Sequence, residues 1–260
     1  MRTSETATVT RPTGASGVQP PFISIVIPAF NEGARIGGTI ASIRRFLERF
    51  DRRFELIVVD DGSTDDTAAI VERAASDFPG LFLLRNDANH GKGHSVRQGI
   101  LAATGEFALF SDADLSAPIE ELDKLLDTAI AQNADIVIGS RALDRSLIGR
   151  HQSHFRESGG ILFNVMVRAL LGLDIHDTQC GFKLFRRERV IDIVRRQTTQ
   201  GFGFDPEVLF LAARRNLKIV EVPVRWNHAE GSKIHFLRDG IVMFLDLARI
   251  RWNYIRGKYS

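Results

Sequence analysis

Asp112 and Asp114 stand two residues apart in Ser111-Asp112-Ala113-Asp114, directly after the apolar run Phe107 to Phe110. If the backbone is still extended there, both carboxylates point the same way while Ala113 turns aside, and the pair can share one hard cation. Mg²⁺ or Mn²⁺ suits such an oxygen-only pair, and the sequence has no Cys/His cluster that would offer a zinc site. A cation of this kind keeps waters and bridges to phosphates, so the two aspartates point to a nucleoside diphosphate ligand. Gly91-Lys92-Gly93 places a lysine at a helix start, where backbone N–H groups can cradle phosphate, although a plain turn would look the same. Two other phosphate-binding designs are excluded. The chain has no GxxxxGK[ST] loop and no GxGxxG after its first apolar run.

The elements that must position these residues alternate regularly. Apolar runs at Ile23–Ile27, Phe54–Val59, Leu81–Leu84, Phe107–Ser111 and Asp135–Gly139 read as strands. Between them, helical periodicity runs over 35–50, through Ala75, over 94–104 and over 119–132; Ile36, Ile40, Ile43 and Leu47 form the buried face of the first helix. Strand and helix in alternation predict an α/β fold with a mostly parallel, Rossmann-like sheet flanked by helices. In such a sheet ligands gather beyond the C-terminal strand ends. Polar clusters fall at four of those ends: Pro28 to Glu32, Asp60 to Ser63, Asp112 to Asp114, and Ser140-Arg141. One cluster alone is ordinary loop capping, whereas several at neighbouring strand ends imply a site.

After Arg141 the alternation loosens. An apolar helix is expected over 155–172, a strand over Gly181–Phe185, a helix over Asp205–Arg215 and a strand over Lys218–Trp226. Residues 236–254 predict an amphipathic helix with a basic end and interface-type aromatics. Residues 1–21 are expected to be a disordered tail, 22–235 the catalytic domain and 236–260 a membrane-interface helix.

Charge sharpens the division. The whole chain carries a net +2, which excludes a strongly basic nucleic-acid binder. Residues 1–140 hold 13 basic and 20 acidic side chains, net −7, and residues 141–260 hold 21 and 12, net +9. An acidic half can hold a cation; a basic half can face phosphates or an anionic membrane. The lone Cys180 describes no disulfide framework and reads as a small buried residue in a reducing compartment. No stretch reaches the roughly 18 uninterrupted apolar residues of a membrane span, so a cytoplasmic, membrane-peripheral protein is expected.

The ordered set IVIPAFNE (25–32), VVDDGSTDDT (58–67), NHGKG (89–93), SDADLSAP (111–118), GSR (139–141) and DTQCGFKLF (177–185) resembles the inverting GT-A glycosyltransferases of family 2, in the branch that uses polyprenyl phosphates such as dolichyl phosphate. The resemblance covers about residues 22–235. It implies a GT-A fold and transfer of a hexose from a nucleotide sugar to a lipid-linked phosphate. By the same resemblance Pro28, Ala29 and Glu32 border the nucleotide, Asp61 contacts the base, and Asp112 and Asp114 engage the metal and the donor diphosphate; Lys92 and Ala113 are counted with them as nucleotide-sugar-binding residues. Lys233, in Glu230-Gly231-Ser232-Lys233, resembles a motif near the donor phosphates. Arg141 and Arg156 are implied to hold the acceptor phosphate, and Asp177 to sit near the sugar, so Asp114, Arg141 and Asp177 are the expected catalytic set.

Mannosyl-type relatives carry an arginine shortly before the GxSK-like motif. This chain has WNHAEGSK there, closer to glucosyl-type members, which favours UDP-glucose over GDP-mannose. Some relatives end in membrane-spanning helices, but residues 236–260 are too charged to span. The helices at 155–172 and 236–254 are therefore the expected membrane contacts, unless they bury in the core or in a homo-oligomer. A family 2 transferase with a soluble glycan acceptor and a non-catalytic nucleotide-sugar-binding scaffold are the competing readings. A scaffold has no need of Asp112, Asp114 and Arg141 together.

Overall fold

The computed structural model describes residues 20–150, 154–228 and 236–259, with the side chains of 154–157 and 236–239 left aside. The expected tail and Lys233 lie outside the described residues, as does the side chain of Arg156.

Strands β1 (Ile23–Ala29), β2 (Phe54–Asp60), β3 (Leu81–Arg85), β4 (Phe107–Ser111) and β5 (Ile136–Ser140) alternate with helices α1 (Ile36–Leu47), α2 (Thr67–Asp77), α3 (Lys92–Ala102) and α4 (Glu121–Ala131). The second half adds β6 (Ile148–Arg150), α5 (His154–Leu171), β7 (Phe182–Arg186), α6 (Arg187–Arg196), α7 (Phe204–Arg214), β8 (Ile219–Pro223), β9 (Trp226–Asn227) and α8 (Phe236–Ile255). Seven strands form the main sheet in the order β3-β2-β1-β4-β7-β5-β8, and β6 pairs with β9 in a small second sheet. All neighbours in the main sheet are parallel except β7, which runs antiparallel to both β4 and β5.

Strand residues divide between two cores, as the period of two requires. Ile23, Ile25 and Ile27 pack with α1, α2 and α4, while Val26, Ile57 and Val59 pack with α3 and the helices of the second half. The expected face of α1, Ile36, Ile40, Ile43 and Leu47, is buried. Two departures from the sequence reading matter. The single strand expected over 218–226 breaks after Pro223 into β8 and β9, and this break brings Trp226 beside Ile148. Helix α6 escaped the reading because its charge-rich sequence buries only Val190, Ile193 and Val194. Helices α5 and α8 pack on each other. The inner side of α8 contributes buried Leu247 and Ile250, while Ile241, Leu245, Trp252 and Ile255 remain more than half exposed.

Candidate active site

Beyond β1 and β2 two loops are stitched together. Asn31, at φ 52°, donates its N–H to Ser63 Oγ at 2.8 Å and accepts from Thr64 N at 2.8 Å, and Glu32 N donates to Thr67 Oγ1 at 2.8 Å. Pro28 and Ala29 close β1 just before this seam, and the Glu32 carboxylate meets Arg35 at 2.7 Å. Asp61 is buried and accepts from Asn86 Nδ2 at 2.7 Å, His90 N at 3.1 Å and Gly91 N at 2.7 Å. It therefore shapes the Asn86–Gly91 loop that delivers Lys92. Gly91 is at φ +103°, and a Cβ there would lie 2.7 Å from Gln200 O, so only glycine fits this close crossing.

Lys92 opens α3 and reaches Asp112 Oδ1 at 2.6 Å. Burial works against its charge, but the carboxylates of Asp112, Asp205 and Asp114 outweigh burial and hold the ammonium above the usual lysine range. The Asp112–Asp114 segment is a turn and not the extended strand end that the two-residue spacing assumed. Strand β4 stops at Ser111, Leu115 N bonds back to Asp112 O at 3.1 Å, and Leu115 sits at φ 47°. The carboxylates are placed by this turn and its props: Thr39 Oγ1 donates to Ala113 O at 2.5 Å, Ser116 N to Asp114 Oδ1 at 2.9 Å, and Asp112 N to Gly181 O at 3.0 Å. Two carboxylates with no nitrogen or sulfur donor remain a donor set for a hard cation whose other ligands are phosphate oxygens and water. Among the described residues no group of three or more His, Cys, Asp or Glu side chains is arranged to hold a metal ion.

The segment Asp177–Lys183 serves both sides of the sheet centre. Gly181 leaves room for Asp112, since a Cβ there would lie 1.9 Å from Asp112 Oδ2. Lys183, wholly buried, donates to Cys180 O and Asp205 Oδ1, each at 2.5 Å. Burial raises the Asp205 pKa despite Lys183 and Lys92. Cys180 is buried with its thiol pushed up to about 12 by burial and the Asp177 charge, which makes it inert and structural as expected. Behind Lys92, buried Glu207 accepts from Thr198 N at 3.0 Å, Thr199 N at 2.7 Å and Tyr259 Oη at 2.6 Å, and so fixes the loop against which Gly91 and Gly93 pack.

Arg141 extends a two-pronged fork to Asp177, Nε to Oδ2 and Nη2 to Oδ1, both at 2.7 Å, and its backbone N–H adds a third bond to Oδ2 at 2.9 Å. Burial raises the Asp177 pKa, but Arg141 overrides it and holds the carboxyl below the ordinary range. The guanidinium lies 5.4 Å from the Trp226 ring centre and feels the charge of Asp112, which places the two clusters side by side. Glu221 on β8 accepts from the backbone N–H of His176 at 2.8 Å and of Asp177 at 3.0 Å. Arg141, Arg145, Ile148, Ile161, His176 and Trp226 help line a pocket of about 220 Å³.

The sequence matches the family described as "Glycosyl transferase family 2" over residues 24–194. The chain belongs to this family. Dolichyl-phosphate beta-glucosyltransferase of Saccharomyces cerevisiae is 33% identical over 256 residues, covering 92% of this chain and 76% of the relative. A protein of the same description from Trichomonas vaginalis is 38% identical, covering 92% and 73%. Among solved structures, glucosyl-3-phosphoglycerate synthase from Mycobacterium tuberculosis, in complex with Mn²⁺, uridine diphosphate and glucosyl-3-phosphoglycerate, superposes with a TM-score of 0.63 at 22% identity, covering 88% of this chain and 78% of that one. That likeness shows the fold, the GT-A arrangement expected from the motifs.

Family membership explains why the motif residues converge. Lys92, Asp112 and Asp114 form one cluster, and Arg141 and Asp177 another. Lys183, Asp205, Glu207, His176 and Glu221 were missed. For the first three the available signal was a charged residue within an apolar run, Phe182–Phe185 or Phe204–Leu211, where a buried charge requires a partner.

Proposed function

We propose that the protein transfers glucose from UDP-glucose to a polyprenyl phosphate of the dolichyl type, giving a β-linked lipid phosphosugar. The observation that carries the acceptor assignment is the pocket of about 220 Å³, which Arg141 and Ile161 both line. Ile161 belongs to the exposed apolar face of α5 with Leu162 and Val165, and α8 continues that surface with Ile241 and Leu245. A phosphate site opening onto an apolar surface matches an acceptor that is an anion at one end and a hydrocarbon at the other. The names of the relatives agree, and the WNHAEGSK stretch favours glucose. No helix among the described residues is long and apolar enough to cross a membrane; we read the exposed apolar residues of α5 and α8 as the contact with the lipid. We place the reaction at the cytoplasmic face, in keeping with the lone, buried Cys180.

An acceptor phosphate is already an oxyanion at neutral pH, so the attack needs alignment and no general base. Its oxygen forms a bond to the anomeric carbon as the bond from that carbon to the diphosphate oxygen breaks, and UDP leaves with the electron pair. Asp177 fixes the Arg141 fork before substrate arrives; the remaining guanidinium N–H groups hold the acceptor phosphate. Lys92 stands where a donor diphosphate would meet Asp112 and Asp114. These aspartates would hold the Mg²⁺ or Mn²⁺, which supplies charge neutralisation of the departing diphosphate. Single displacement of an α-linked donor gives a β-linked product.

A donor panel of UDP-glucose, UDP-galactose, UDP-GlcNAc and GDP-mannose against a short polyprenyl phosphate with Mg²⁺ or Mn²⁺ tests the assignment. The expected result is selective transfer from UDP-glucose, with a β anomeric coupling in the product. Transfer only to a soluble glycan would remove the acceptor assignment, and an α-linked product would remove the single displacement.

A further inference from the structure

Besides Arg141 and Arg145, the pocket holds a basic group that neither the motifs nor the family assignment accounts for. His176 helps line it, with a side chain 52% exposed. Its ring is not loosely placed. Glu221 Oε2 lies 3.0 Å from His176 Nδ1 and also accepts the His176 backbone N–H at 2.8 Å, while Oε1 accepts the Asp177 N–H at 3.0 Å. One carboxylate on the sheet thus orients both the imidazole and the aspartate that clamps Arg141. Since Asp177 occupies Nε and one Nη2 proton of Arg141, that arginine has only part of its fork to offer a phosphate. A phosphate monoester presents three terminal oxygens and is held best by charge-assisted donors from more than one side.

We propose that His176, oriented by Glu221, is a second ligand of the acceptor phosphate. This rests on the acceptor reading above and deepens it. A histidine donates from both ring nitrogens only as the imidazolium, so Nδ1 given to Glu221 and Nε2 to a phosphate oxygen is the arrangement this role requires. Adjacent positions in the chain then serve the two ligands: residue 176 supplies a donor and residue 177 fixes its partner. The ligand chemistry is that of a phosphate monoester.

The test compares His176→Gln, His176→Arg and Glu221→Gln in the full-length protein. Steady-state transfer from UDP-glucose to a short polyprenyl phosphate gives separate KM values for donor and acceptor, and calorimetry gives the affinity for inorganic phosphate and for the prenyl phosphate. Loss of one charge-assisted hydrogen bond predicts an acceptor KM raised about tenfold or more in His176→Gln, with a far smaller change in donor KM. His176→Arg restores the cationic donor and returns most of that loss; Glu221→Gln shows a weaker version of it. An unchanged acceptor KM and unchanged phosphate affinity in His176→Gln overturn the proposal while leaving the transferase reading intact. Donor and acceptor KM rising together in both His176 variants overturn it as well, since that marks a structural role. If the unmutated protein transfers nothing to lipid phosphate, the acceptor reading falls, and the calorimetric comparison of inorganic phosphate binding still decides: equal binding by His176→Gln overturns the proposal, and weakened binding restored by His176→Arg supports it.

Discussion

The donor and acceptor sides of this sheet handle charge in opposite ways. On the donor side Asp112, Asp114 and Asp205 surround Lys92, with Lys183 buried beneath, so carboxylates outnumber the lysines that face them. On the acceptor side each acid is matched to a base: Asp177 to Arg141 and Glu221 to His176. The donor cluster keeps a negative excess that an incoming cation with its diphosphate can satisfy. The cluster around Arg141 spends its acids on orienting bases, which under the proposed function are left to meet an anion that brings its own charge. The −7 and +9 of the two halves are not made by these clusters, which carry about −1 each with His176 neutral, so that imbalance belongs to the rest of the chain.

Removing the buried base beneath the donor cluster tests its floor most severely. Lys183→Met removes the hydrogen-bonded base of Asp205 in the core, and a loss of about 3–5 kcal/mol in unfolding free energy is expected by denaturant titration. The double variant Lys183→Met/Asp205→Leu recovers a large part of it; if it recovers none, the pair is not the source of the loss. Asp114→Asn comes next. Removing this charge should lower kcat by about 10²–10³-fold with little change in the melting temperature or in the acceptor KM. An equal rise in acceptor KM would show that the two clusters do not divide the work as described. The smallest effect belongs to the apolar surface. Leu245→Asp on α8 should weaken binding to anionic vesicles by about 1.5–3 kcal/mol in a flotation assay, leaving UDP-glucose affinity as it was. A change in donor affinity would join two surfaces that the comparison separates.

The donor side was largely legible in the sequence because its elements are local. Periodicity exposed the Ile36, Ile40, Ile43 and Leu47 face, and polar clusters after apolar runs marked the strand ends. The turn at Asp112–Asp114 was not legible, since a two-residue spacing looks alike in a strand and in a turn held by Thr39 and Ser116. The acceptor side depends on long-range pairing. Arg141 and Asp177 are brought together by a strand inserted in reverse between β4 and β5, and no local pattern distinguishes a reversed strand from a parallel one. Likewise Glu221, in a short strand of mixed character, shows its purpose only once β8 lies beside β5.

That reversed strand has a consequence for how the pocket can change. The ten residues from Asp177 to Arg186 hold Arg141, clear space for Asp112 and neutralise Asp205. A substitution in this stretch would therefore act on both clusters at once, so under the proposed function a change of acceptor without a change at the donor has to come from elsewhere. Arg145 and Trp226 touch the pocket from outside this stretch, which makes them the positions where the pocket can be reshaped with the Asp112 cluster left alone.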